Sequence, residues 1–154
     1  MGVKWGESQT SVKQKILSRK ESPKLLYETP FNLKFTNLVL ADKILTNEGQ
    51  GNCLFYFYSK GLYQVICSAS NEESNDLYRN LESLIIEKHG QPWMTLRDTN
   101  DYDWRSRDGR SIRLTYLITS EKKYIILIAY KNDIMRKEVA QLRHLEGGKS
   151  YPTN

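Results

Sequence analysis

The chain is poor in the residues that usually mark chemistry. Its 154 residues include two cysteines, two histidines, three methionines and four prolines. Two Cys and two His without H-x-x-x-H or C-x-x-C spacing argue against a zinc site. The nine glycines form no G-x-S-x-G, no G-x-G-x-x-G and no Walker-type loop, so neither a nucleophile elbow nor a phosphate cradle is encoded. No apolar run approaches the ~20 residues that cross a bilayer as a helix. The opening M-G-V-K-W-G-E-S has no hydrophobic leader core, and Gly6 stands where a myristoylation motif carries a hydroxyl. If a leader was removed upstream, the periplasm or cell envelope is the expected location; otherwise it is the cytoplasm.

What remains is a foldable, mildly basic chain. Hydrophobic residues make up 39% and charged residues 27%, which suits one packed core at this length. Residues 1–147 are expected to form a single domain and 148–154 a loose tail. The net charge of +5 admits acidic partners: nucleic acid, an acidic protein or an anionic surface.

The strongest periodic stretch, Ser70–Trp93, predicts a central helix. Ser70 or Asn71 is placed to cap it, with Glu72, Glu73 and Asp76 near the positive dipole end. Leu77, Leu81, Leu84 and Ile85 share one face, widened by Tyr78 and Ile86. Lys88 and His89 fall in the last turn, Gly90 at the C′ position, and Pro92 forbids continuation. A first helix is expected over Ser8–Lys20, with Val12, Ile16 and Leu17 on one face. A last one starts at Asn132 or Asp133, carries Ile134, Met135, Val139, Leu142 and Leu145, and ends at Gly147-Gly148.

The remainder reads as β-structure. Leu25–Thr29, Phe31–Phe35, Leu38–Leu45, Cys53–Tyr58 and Leu62–Ser68 look extended before the central helix. Tyr102–Ser106, Ser111–Thr119 and Tyr124–Lys131 look extended after it. Ser59-Lys60-Gly61 reads as a hairpin connection and Met94–Asp101 as a polar link. The expected class is α+β: an antiparallel sheet of about six strands with helices packed on one face, ordered helix, strands, helix, strands, helix. Strand, turn, strand and Asn-capped helix occur at Cys53–His89 and again at Ser111–Leu145, the mark of a duplicated unit.

Centring the first hairpin on Lys60 sets Phe57 opposite Tyr63, Phe55 opposite Val65 and Cys53 opposite Cys67 on one apolar face. The two cysteines are then either a cross-strand disulfide made in an oxidising compartment or two buried thiols acting as small hydrophobes.

Arg105, Arg107, Arg110 and Arg113 surround the turn at Asp108-Gly109, with Arg97 upstream and Trp104 alongside. Guanidinium groups at a hairpin tip suit phosphates, carboxylates or an acidic partner. Mixed with aromatics, they have the character of a single-strand binding face. The plainer reading is a solvated hairpin, partly neutralised by Asp101, Asp103 and Asp108. Tyr56 and Tyr58, outward on their strand, offer a contact platform. His89 and His144 need no more than a helix-dipole role. The run Asp98, Asn100, Asp101 and Asp103 lacks the ligand spacing of a calcium loop. No metal or cofactor is expected.

Three segments together resemble a recurrent pattern in small bacterial envelope proteins. They are Trp5-Gly6-Glu7-Ser8 leading to Val12, the aromatic hairpin Phe55–Val65, and Leu84–Pro92 ending H-G-Q-P with Trp104 following. In that family W-G-x-S opens a short helix and a second helix ends in Y-G-x-P; here His89 replaces the tyrosine. The layout is also similar to β-lactamase-inhibitor-protein and outer-membrane assembly-lipoprotein domains. The resemblance implies protein binding rather than catalysis and carries over no active-site residue.

The leading expectation is therefore a non-enzymatic domain that binds another protein through its sheet face or hairpin tips. The second is binding of nucleic acid or another polyanion by Arg97, Arg105, Arg107, Arg110 and Arg113. An enzyme with a dispersed site, such as His89 with Asp101 and Arg105, and a type III secretion-like chaperone by topology complete the alternatives.

Overall fold

The computed structural model describes residues 3–18, 23–29, 35–42, 51–71, 76–96, 101–120 and 124–147. Helix α1 (Gln9–Leu17) precedes strands β1 (Lys24–Glu28), β2 (Thr36–Asp42), β3 (Gly51–Tyr58) and β4 (Gly61–Asn71). Helix α2 (Asp76–His89) precedes β5 (Met94–Leu96), β6 (Asp101–Arg105), β7 (Arg110–Ile118) and β8 (Tyr124–Asn132), and α3 (Asp133–Gly147) follows. The strand expected at Phe31–Phe35 lies outside the described residues except for Phe35, and so does the tail at 148–154.

All eight strands form one antiparallel sheet, ordered β1-β2-β3-β4-β8-β7-β6-β5. The count exceeds the expected six. Part of the difference is β5: Met94–Leu96, read as a connection, pairs with Asp103–Asp101, and three residues are too few to show a period. Two four-stranded meanders, each built of sequence neighbours, are joined by one long-range ladder from Gln64↔Lys131 to Asn71↔Tyr124.

Side-chain alternation divides the sheet into two faces. Cys53, Phe55 and Phe57 point to one face together with Leu38, Val65, Cys67, Leu114, Ile126 and Ile128, under Val12 and Ile16 of α1 and Tyr78 and Ile85 of α2. Tyr58 and Tyr63 lie on the other, under Val139, Met135 and Leu142 of α3. Helices therefore cover both faces, not one. On the α3 side the hairpin carries a register shift between Tyr56 and Phe57: Phe57 pairs with Leu62 rather than Tyr63. The extra residue, Tyr63, turns to the far face, where it meets Tyr58 edge-on at 5.6 Å. This aromatic pair is what α3 covers. The Tyr58 hydroxyl donates to Glu138 at 2.8 Å, and burial and that carboxylate push its pKa up to about 12. The echo between the two halves thus holds for their hairpins but not for the placement of the following helices.

The helices keep their sequence signals with adjustments. Ser8 caps α1 by accepting from the Ser11 N–H at 3.2 Å. Asn132 caps α3 by accepting from the Met135 N–H at 3.1 Å. Ser70 and Asn71 do not cap α2; they finish β4. Tyr78 and Ile85 are the buried residues of α2, with Leu77, Leu81 and Ile86 against the core. Each buried side chain of that size stabilises the fold by roughly 1.5–3 kcal/mol. Leu84, expected inside, is 60% exposed, because the stripe centres on the 78–85 pair.

One covalent and one hydrogen-bonded constraint fix the β3–β4 hairpin. Cys53 and Cys67 are bonded across the pair, fully inside the core. Closing a loop with a sequence separation of 14 is worth about 3 kcal/mol in chain entropy. At the tip, the N-terminal segment lies directly on the turn. Gly6 N–H donates to Leu62 O at 2.9 Å, and Leu62 N–H donates to Glu7 O at 2.8 Å. A Cβ on Gly61, whose φ is +95°, would sit 2.2 Å from Gly6 O.

Two outcomes follow from these constraints. Unreduced protein unfolded in the presence of an alkylating agent should show no labelled thiol by mass spectrometry; labelling of both cysteines would exclude the disulfide. Gly61→Ala should lower the unfolding free energy by about 2 kcal/mol or more, read by urea titration, and parental stability would refute the tight contact with Gly6.

Candidate anion-binding cleft

At the end of the sheet that carries the β3–β4 and β6–β7 turns, four segments converge. Helix α2 stops there because Gly90 takes φ +79° and Pro92 follows. The Trp104 Nε1–H donates to the Gly90 carbonyl at 2.9 Å, tying the helix end to β6. The chain returns through Gln91 and Pro92, and the Trp93 N–H donates to the Asp103 carbonyl at 2.8 Å, which aligns β5 on β6. The N-terminal residues Val3–Trp5, held by the contact of Gly6 with the hairpin turn, close the remaining side.

Together these segments enclose a cleft of about 850 Å³, within the ~300–1,000 Å³ typical of ligand sites. Its floor is apolar: Leu62, Val65, Trp104 and Ile112 are buried, and Trp5 and Tyr130 half-buried. Its rim is cationic: Lys4, Lys88, Arg105 and Arg110 are exposed, with the imidazole of His89 among them. Trp93 also stands at the rim, 65% exposed. All three tryptophans of the chain line this one cleft. Among the described residues no carboxylate does.

The rim side chains are held in place. The Arg105 guanidinium lies 4.5 Å from the centre of the Trp93 ring, a cation–π contact, and also approaches Asp103 at 3.5 Å. Arg110 pairs with Asp108 at the hairpin tip, and that bond is the first cause of an Asp108 pKa lowered to about 2. Burial, then the charges of Lys88 and Arg110, depress the His89 pKa. A protonated imidazole is therefore disfavoured there, which runs against the helix-dipole role read from its position.

The sequence-derived candidates separate. Arg105, Arg110 and Trp104 line the cleft. Arg107 is exposed on the turn and outside the lining. Arg113 lies further from the turn, donates to Asp103 at 3.1 Å and is outside the lining. Tyr56 and Tyr58 belong to the surface beneath α3. Arg97 lies outside the described residues. Asp101 is not among the lining residues, so it does not join His89 and Arg105. Sequence reasoning missed Lys4, Lys88 and Trp93 as site residues, although Trp5-Gly6 and H-G-Q-P stood out as motifs. Among the described residues no group of three or more His, Cys, Asp or Glu is arranged to hold a metal, and no helix is long and apolar enough to cross a membrane.

Compared with protein-family models, curated proteins and solved structures, the chain matches none.

The lowered His89 pKa fixes a pH dependence. The unfolded chain, with imidazole near its ordinary ~6.5, takes up the proton more readily than the folded one. The associated stability is complete above that value and declines as pH falls through it. Urea titrations at about pH 8 and about pH 5 should show that decline. His89→Gln should make it shallower, and an identical decline in both proteins would rule out His89 as its source.

Proposed function

We propose that this chain is a non-enzymatic binding module that captures a polyanion in the cleft. The observation that carries the reading is the segregation of charge: four permanent cations and a histidine ring an aromatic floor with no carboxylate among its described lining. Like charges gathered at a concave, low-dielectric surface focus a positive potential that attracts anions. The rim draws on three separate segments, so a ligand engaging all of it carries several negative groups rather than one. This refines the hairpin-tip reading: Arg105 and Arg110 act with Lys4 and Lys88, while Arg107 and Arg113 do not take part.

Protein binding through the sheet face ranks second. On the face that carries α3, Tyr27 and Leu117 are 56% and 55% exposed, but they stand five strands apart in the sheet order. Val39, Leu54, Ile66 and Leu127 between them are only partly exposed. That face has apolar area, and its described charges include an Arg113–Asp103 pair satisfied within the fold. A buried disulfide suits maturation in an oxidising compartment, which agrees with the envelope expectation.

Tryptophan fluorescence with inorganic polyphosphate as titrant tests the proposal directly, since every tryptophan reports on the cleft. Four cations engaged at ~0.7 each give a log–log salt slope of about −3. Lys88→Ala and Arg110→Ala should each weaken binding and flatten that slope by about 0.7. Arg107→Ala should behave as the parent. Salt-independent binding, or losses equal in Arg107→Ala and Arg110→Ala, would refute the cleft as the site.

A further inference from the structure

We infer that the polyanion is a single-stranded nucleic acid, with an unpaired base stacked at Trp93 and phosphates on the basic rim; this rests on the polyanion reading above and narrows it. The cleft joins two features that most polyanions use only in part. Its rim offers Lys4, Lys88, Arg105 and Arg110 to a chain of charges. Beside that rim stands the exposed indole of Trp93, and below it Trp5 and Tyr130 are half-buried in the floor. Polyphosphate or a sulfated glycan would satisfy the first and leave the second unused. A single strand satisfies both, because each phosphate is accompanied by a base with an open π-face.

Trp93 is the side chain most suited to that contact. Its indole is 65% exposed, while its backbone is fixed by the bond to Asp103 and its ring is partnered by the Arg105 guanidinium at 4.5 Å. An aromatic already held in position loses little freedom when a second ring stacks on it. Arg105 beside it can reach a phosphate without leaving the indole, since a guanidinium stacks with its face and donates from its edge. Duplex is the wrong form, because paired bases hide the faces that the cleft would contact. The polar side chains of the lining besides the cations and the aromatics are few: His89, Gln91, Ser106 and Ser111. Binding should therefore depend on the presence of bases and little on their order.

The test compares oligothymidylate about twelve nucleotides long with an abasic deoxyribose-phosphate strand of equal length, bound to the full chain with its disulfide intact at low salt. Oligothymidylate should bind at least about tenfold more tightly and quench tryptophan emission. Trp93→Ala should abolish the difference, with a loss for oligothymidylate at least about tenfold larger than the small loss for the abasic strand that follows from releasing Arg105. Circular dichroism and the affinity for polyphosphate establish that the variant is folded. Equal affinity for the two strands would overturn the nucleic-acid inference while the polyanion reading stands. Failure of both strands and of polyphosphate to bind would remove the two together. Binding to vesicles of anionic phospholipid in the absence of any strand binding would assign the cleft to a membrane surface and would also overturn the inference.

Discussion

The ladder between β4 and β8 is the pairing on which everything else depends. Every other strand pair joins neighbours in sequence, so each meander can form from local contacts with a small loss of loop entropy. The β4–β8 register, Gln64↔Lys131 through Asn71↔Tyr124, alone joins the halves. It aligns Val65, Cys67 and Ala69 with Tyr130, Ile128 and Ile126, making one continuous apolar face for α1 and α2. A slip by one residue would turn each of those side chains to the opposite face. The same register brings the β3–β4 turn and the β6–β7 turn to one end of the sheet. The cleft exists because of that coincidence, since its floor takes Leu62 and Val65 from one half and Trp104, Ile112 and Tyr130 from the other.

A second, smaller constraint completes the site. The N-terminal segment adds no strand; it is bonded through Gly6 and Glu7 to Leu62 at the hairpin tip. The approach is close enough that Gly61 has no room for a Cβ against the Gly6 and Glu7 backbone. This contact is what places Trp5 and Lys4 over the floor laid down by the sheet. Helix α2 reaches the same end from the other direction, and its exposed terminal carbonyl at Gly90 is satisfied by Trp104, which removes the unpaired acceptor a helix end would otherwise present. The core disulfide lies well down the same hairpin and leaves its tip free to carry these contacts.

Legibility from sequence followed the range of the interaction. The pairing of Cys53 with Cys67 and Phe55 with Val65 was readable, because a tight turn and an alternating face set a local register. The bulge that displaces Tyr63 was not, since the period on either side of it is unbroken. Tyr63 joins Tyr58 beneath α3 on the face away from α1 and α2, and the expected single helical layer fails there. The Arg105–Arg110 cluster was visible as composition, but Arg113 lies further along β7, paired with Asp103 and outside the cleft lining, and only the fold shows this. Lys4, Lys88 and Trp93 were invisible as partners because they meet through the fold and not through the chain.

The cleft's charge also explains why cations and aromatics occur there together. Arg110 already has an exposed partner in Asp108, and exposed ion pairs contribute only ~0–1 kcal/mol. An incoming anion that displaces this carboxylate exchanges one weak pair for another, so no single contact at the rim can carry the affinity. Arg105 differs, since Asp103, itself buried, holds it from behind while Trp93 holds it from the side. Its orientation is set before a ligand arrives, which lowers the entropy lost on binding. Affinity must then come from several such contacts acting with apolar contact at the floor. A ligand that supplies charge alone uses half of what the fold has assembled.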